Sequence, residues 1–222
     1  MSKGFWAIII AIIVIFGGFL WFKDHKANAP STTAQTSNHV EGNGQKGVTL
    51  IEYGDYECPF CEQYYPVVKQ VVAQYNNEIK FEFRNLPLSQ IHQNAFAASR
   101  AAEAAGLQNK FWEMHDMLYE NQSSWVNASD PQTVFSQFAQ QLGLNVTQFK
   151  QDFSSSKVND LINGDIAAFN KTGQEMATPT FFLDGKKISP NITFESDQKT
   201  VNVPASAAAF SQLIAKEIAT KK

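Results

Sequence analysis

The chain has 222 residues, enough for one domain with appendages and too few for two large ones, and its 44% hydrophobic residues, 18 Phe among them, exclude global disorder. The formal net charge of -3 is unevenly placed: residues 1–47 carry four Lys against two acids, and residues 48–222 carry fourteen Lys and Arg against nineteen acids. An acidic body with only two Arg excludes an electrostatic footprint for nucleic acid. The two cysteines, Cys58 and Cys61, are too few for a disulfide framework or an all-Cys zinc site, so they read as a local chemical device.

In chain order, the first feature is an uncharged run of eighteen residues from Phe5 to Phe22, which as a helix spans about 27 Å, close to the thickness of a bilayer core. Trp6 and Trp21 stand near its ends, and Lys3, Lys23 and Lys26 lie just outside, so residues 1–26 are expected to form one N-terminal membrane anchor. A cleavable signal peptide is the competing reading, on the strength of Ala27-Asn28-Ala29, but the apolar run exceeds the usual length and Pro30 follows at once. Flanking charge is nearly silent on orientation. A short N-terminal tail before a single span is the usual form of an exported, anchored domain, which places the body on the extracytoplasmic side. Residues 27–47 are rich in Ser, Thr, Gln, Asn and Gly and are expected to be a flexible stalk.

The body begins at Val48. Val48 to Tyr53 has the β-branched, apolar character of a buried strand and ends at Gly54-Asp55, just before Cys58-Pro59-Phe60-Cys61. Tyr64, Val67, Val68, Val71, Val72 and Tyr75 follow with helical spacing, with Pro66 expected to kink or loosen the first turns. Ile79 to Phe83 alternates as a half-buried strand, which completes a β-α-β unit and implies a parallel strand pair. Helices are predicted over Ala95–Ala105, Phe111–Tyr119, Val134–Leu142 with Asp130-Pro131 as its cap, and Val158–Phe169. Strand character returns at Thr178–Leu183, Asp184-Gly185 turns the chain into Lys186-Lys187-Ile188, and the segment to Val203 is a hairpin or a loop. Ser206 to Thr220 closes the chain as an amphipathic helix with Phe210, Leu213, Ile214 and Ile218 on one face.

A C-x-x-C pair at a helix N-terminus after a strand lets two thiols form a tight, reducible disulfide with one sulfur exposed. Unpaired N–H groups and the positive end of the helix dipole favour the Cys58 thiolate, lowering its pKa from about 8.5 into the range of roughly 3.5 to 7.5. Exchange then runs through a mixed disulfide at Cys58, with Cys61 resolving it. Zinc needs two further ligands, and His25, His39, His92 and His115 include no suitably spaced pair, so no metal is expected.

GDYECPFC at 54–61, FRNLPL at 83–88, NAFAASRAAEAAGLQNKFWEMHDMLYENQ at 94–122 and ATPTFFLDGKKI at 177–188 give residues 48–222 a resemblance to the thioredoxin superfamily, and within it to DsbA-like thiol-disulfide oxidoreductases. The resemblance implies an α/β thioredoxin-like fold with an inserted helical cap at about 89–172 lying over the active site. It implies that Cys58 and Cys61 are catalytic, that Thr178-Pro179 is a cis-proline loop against them, and that Glu52 is a buried acid beneath the site that accepts the Cys61 proton. Thr178, Pro179, Pro59 and Phe60 are the implied substrate contacts, and Phe60 stands where the best-known oxidases have His. Taken alone, Glu52 reads as an outward-facing strand residue, Thr178-Pro179 as a trans turn, and His92 and His115 as surface or packing residues.

The expected protein is thus a membrane-anchored, extracytoplasmic oxidoreductase that introduces disulfides into exported, cysteine-containing proteins, with no cofactor because the sulfurs carry the electrons. By resemblance a quinone-linked membrane thiol oxidase, of the DsbB or vitamin-K-epoxide-reductase type, recycles it. The alternatives are a disulfide reductase or isomerase using the same site, and a tethered peptide-binding module.

Overall fold

The computed structural model describes residues 35–189, 192–196, 199–203 and 206–221. The expected membrane anchor and the first part of the expected stalk lie outside these residues; among the described residues no helix is long and apolar enough to cross a membrane.

Five strands form the main sheet: β1 (His39–Glu41), β2 (Val48–Gly54), β3 (Ile79–Asn85), β4 (Thr180–Leu183) and β5 (Lys186–Ile188), in the order β1-β3-β2-β4-β5. β2 and β3 are parallel from Val48↔Ile79 to Gly54↔Asn85, as a β-α-β unit requires, and every other neighbouring pair is antiparallel. β2 is central, so its residues alternate between two covered faces. Val48 and Leu50 point into the larger core with Val68, Val71, Phe81 and Phe181, whereas Tyr53 packs with Leu86, Phe169 and Phe182 on the other side. The hairpin β4–β5 turns at Asp184 (φ 46°) and Gly185 (φ 77°), two left-handed residues in succession that match the twist of the strands.

Between β2 and β3 runs α1 (Pro59–Gln74), which begins at the cysteines because Cys58 is extended and Pro59 occupies the first turn, where a missing N–H costs nothing. Pro66, the eighth of its sixteen residues, lies inside α1 without ending it, although its ring forfeits one hydrogen bond. The expected insertion is helical throughout: α2 (Ala95–Gly106), α3 (Phe111–Glu120), α4 (Gln122–Trp125), α5 (Pro131–Gln141), α6 (Val146–Phe153) and α7 (Ser156–Lys171). α4 and α6 escape the sequence reading, one because it is a single turn, the other because only Phe149 and Phe153 mark its buried face. β6 (Ile192–Ser196) and β7 (Lys199–Val203) pair as a hairpin, which settles the open choice for that segment. α8 (Ala207–Thr220) closes the chain, capped by Ser206, whose side chain accepts from the Ala209 N–H.

One expectation is corrected. Residues 35–47 are not a free stalk but part of the body. Ser37 donates to the buried Asp165 of α7 through its N–H (2.9 Å) and its hydroxyl (2.6 Å). His39 Nε2 lies 2.9 and 3.0 Å from the two Glu103 carboxylate oxygens, and its ring stacks on Phe111 with centroids 3.3 Å apart. The N–H groups of Asn43, Gly44, Gln45 and Lys46 donate to carbonyls of Asn76, Ile79, Asn77 and Glu78. Low apolar content does not keep a segment outside when its polar groups find buried partners. α7 accommodates this strap with Gly164, where any Cβ would strike the Gln35 carbonyl.

Candidate active site

β2 delivers the chain to the cysteines and α1 carries it away. Cys58 caps α1 with 4% of its surface exposed; Cys61, one turn inside, is fully buried, and both are free thiols. The Cys58 thiol donates to the Thr178 carbonyl at 3.4 Å, and the Thr178-Pro179 peptide is cis, so the loop before β4 lies against Cys58 as the resemblance implied. Pro59 and Phe60 are exposed, Phe60 by 61%, and with the exposed Ile91 and Met176 they give the molecule its large apolar side chains in contact with solvent among the described residues. A cavity of about 270 Å3 lies between Leu88–Ile91 and Met176.

The two thiols are held in opposite states. Cys58 is lowered to about 6, first by its hydrogen bond with the Cys61 thiol and then by Thr178 and the Cys61 and Phe60 N–H groups, against the opposing effect of burial. Burial pushes the Cys61 thiol well above its ordinary value, and the hydrogen bond and charge of Cys58 push the same way. One thiolate is therefore favoured, at the more accessible sulfur, with the Cys61 thiol contributing most and the N–H groups of the helix start less. The Thr178 hydroxyl is buried without a partner in this dithiol arrangement, leaving a donor beside the sulfur that ionises.

Glu52 does not face outward. It shares the core face of β2 with Val48 and Leu50, is 3% exposed, and stands between Phe83 on β3 and Phe181 on β4. Burial, then the charge of Cys58, pushes its carboxyl up to about 8, so it can exchange a proton near neutral pH. It lines a cavity of about 30 Å3, large enough for a water, together with Tyr65, Lys69, Trp112, His115 and Tyr119. The Tyr119 hydroxyl is buried without a partner.

Several neighbours of the site were missed by the sequence reading. Gln122 Nε2 donates to the Tyr56 carbonyl (2.8 Å) and the Cys58 carbonyl (3.2 Å), tying the helical insertion to the active-site turn. Asp55, fully buried, accepts from the Glu57 N–H, the Leu88 N–H and His92 Nδ1, and its own N–H lies 3.5 Å from Cys61 Sγ. Glu57 accepts from the Asn94 N–H at 2.6 Å. The signal available in the sequence was two acids, Asp55 and Glu57, in a turn that has nowhere to go but inward between a buried strand and a buried helix. Of the two histidines read as surface or packing residues, His92 thus reaches the site through Asp55. His115 is a core residue, packed among Phe83, Tyr56 and Tyr119, bonded to the Tyr56 hydroxyl and pushed down to about 3 by burial, then by the charges of His39 and Lys69. No group of three metal-ligating side chains occurs among the described residues.

A parallel β-α-β unit, a dithiol at the helix start and a cis-proline loop against it define a thiol-disulfide oxidoreductase. Residues 34–203 match the thioredoxin family model, and the chain belongs to that family. Over 150 residues it is 35% identical to the Na(+)/H(+) antiporter NhaA 1 of Salinispora arenicola, a match covering 68% of this chain and 22% of the antiporter. The chain thus spans less than a quarter of that relative's length, and the similarity is that of a shared domain. Two solved structures show the same fold at low identity: a thioredoxin-like oxidoreductase from Silicibacter pomeroyi (23% identical, TM-score 0.61, covering 86% of this chain and 97% of that one) and oxidised BdbD from Bacillus subtilis (21%, 0.66, 86% and 96%).

Proposed function

We propose that the protein is anchored in the cell membrane by residues 1–26, exposes its body outside the cytoplasm, and donates the Cys58–Cys61 disulfide to cysteines of exported proteins. The observation that carries the direction of electron flow is the Cys58 value of about 6 beside a Cys61 held well above the thiol range. A thiolate stabilised in the dithiol form favours that form over the disulfide, and a protein whose reduced form is favoured is an oxidant.

In the forward reaction a client thiolate attacks Cys58 Sγ, and Cys61 leaves; Glu52, at about 8, is the group placed to exchange a proton with Cys61. A second client thiolate then displaces Cys58, which departs readily because its thiolate is stabilised. Phe60, Pro59 and the Thr178-Pro179 loop form the surface that receives the client chain. Support for the anchor comes from the uncharged Phe5–Phe22 run with its flanking Trp and Lys. The partner that reoxidises Cys58 and Cys61 is a quinone-linked thiol oxidase in the same membrane.

Two measurements test the reading together. Oxidised protein mixed with a reduced, unfolded exported protein should lose its disulfide as the client gains one, and in intact cells the body should be open to added protease. A client left reduced, or a body protected until the cells are lysed, overturns it.

A further inference from the structure

Asp55 is the link between β2 and the cysteine turn, and its side chain is unusually constrained for a residue that touches no substrate. Oδ1 accepts from the Glu57 N–H at 2.8 Å, and Oδ2 accepts from the Leu88 N–H at 2.8 Å and from His92 Nδ1 at 2.7 Å. The carboxylate is fully buried and the imidazole nearly so, with 16% of its surface exposed. A carboxylate oxygen only accepts, so Nδ1 of His92 is the donor in this bond. His92 is the one side-chain donor of the three; the others are main-chain groups that any sequence supplies. With both oxygens pinned, the direction of Cα–Cβ is fixed, and with it the Asp55 N–H that stands 3.5 Å from Cys61 Sγ.

We propose that His92 and Asp55 form a positioning pair that holds the Asp55 N–H on Cys61 Sγ and stabilises the thiolate Cys61 becomes during exchange. The inference rests on the exchange reading above and assigns a role to a sulfur contact that reading does not use. When a client thiolate attacks Cys58 Sγ, the client-sulfur to Cys58 bond forms and the Cys58–Cys61 bond breaks. The electron pair of the broken bond stays on Cys61 Sγ, where the N–H meets the new charge; no other oxidant or reductant enters. In the reverse step the Cys61 thiolate attacks and the client sulfur leaves with the pair. A hydrogen bond to a charged atom is stronger than one to a neutral atom, so the contact contributes more to the thiolate than to the disulfide. His92 also belongs to the loop whose Leu88–Ile91 stretch walls the apolar cavity beside the site, so the same side chain ties that wall to Cys61.

The test uses the full chain and glutathione as the attacking thiol. His92→Leu deletes the donor; His92→Asn puts an amide N–H close to where imidazole Nδ1 stood. Attack of glutathione on the oxidised protein, followed by acid quench and mass, should slow about tenfold in His92→Leu, the effect expected from a weakened hydrogen bond to a charged atom. His92→Asn should stay within about twofold of the wild type, and alkylation of Cys58 in the reduced protein should be unchanged in both, because none of the groups that lower Cys58 is altered. Wild-type speed in His92→Leu, equal slowing in both variants, or an equal loss of Cys58 reactivity each overturns the proposal. If His92→Leu does not fold, His92→Phe, which keeps a planar ring and deletes the donor, takes its place with the same expected slowing, and wild-type speed there overturns the pairing. A wild type whose disulfide does not react with glutathione at all would instead overturn the exchange reading beneath it.

Discussion

Replacing Cys61 by Ala removes the largest influence that lowers Cys58, the hydrogen bond from the Cys61 thiol, while leaving Thr178 and the N–H groups of residues 60 and 61 in place. With a value of about 6, Cys58 at pH 7 is about ten parts thiolate to one of thiol. In Cys61→Ala the midpoint should rise above about 7, so that at pH 7 half or less is ionised; each tenfold change in the ratio is about 1.4 kcal/mol. The assay is the rate of alkylation by iodoacetamide against pH, checked by the ultraviolet absorbance of the thiolate. The midpoint is the quantity to read rather than the rate at one pH, because a thiolate of higher pKa is intrinsically more nucleophilic and compensates in part. A midpoint that stays near 6 would refute the reasoning, by showing that the helix start and Thr178 hold the thiolate without Cys61.

The reduced body should melt above the oxidised one at pH 8. Because the folded Cys58 value of about 6 lies below that of an unfolded thiol, about 8.5, this stabilisation is absent below about 6, grows from there to about 8.5, and is complete above; the gap between the melts should close as pH falls towards 5, and a gap independent of pH contradicts it. Glu52→Gln should slow attack of the Cys61 thiol on a preformed glutathione–Cys58 mixed disulfide on the order of a hundredfold and abolish its rise through pH 8, where the carboxylate that takes the Cys61 proton forms, while leaving Cys58 alkylation intact; stopped-flow release of glutathione from that mixed disulfide reads the slowing and the pH profile. Gly54→Ala should cost about 1–3 kcal/mol in a denaturant melt, since its Cβ would strike the Phe83 ring and stand 3.1 Å from the Tyr119 hydroxyl, both buried; an unchanged midpoint would mean the strand end gives way freely.

The catalytic cysteines and their helix were legible because a C-x-x-C between a strand and a helix leaves little freedom. The cis bond before Pro179 was not readable from spacing and came through the family resemblance. Glu52 was half legible: strand parity puts it on the face of Val48 and Leu50, and only the assumption that a lone acid turns outward hid this. The strap at 35–47 was hidden for a related reason. Its polar composition reads as unburiable until Asp165 and Glu103 are seen to await it, and Asp165 did leave a trace, lying on the buried stripe of α7 with Val158, Ile162 and Phe169. Long-range polar pairs such as His92 with Asp55, or Gln122 with the Cys58 carbonyl, have no period in the sequence and emerge only when loops distant along the chain meet.

The central claim is that the Cys58–Cys61 disulfide is an oxidant, and the reduction potential of the couple tests it most directly. Equilibrated with glutathione buffers at pH 7 and scored by alkylation of the two thiols, the protein should be half reduced at a potential more positive than about -200 mV, well above the -270 mV or so of thioredoxin. A potential at or below about -270 mV would contradict the account and make the same two sulfurs those of a reductase.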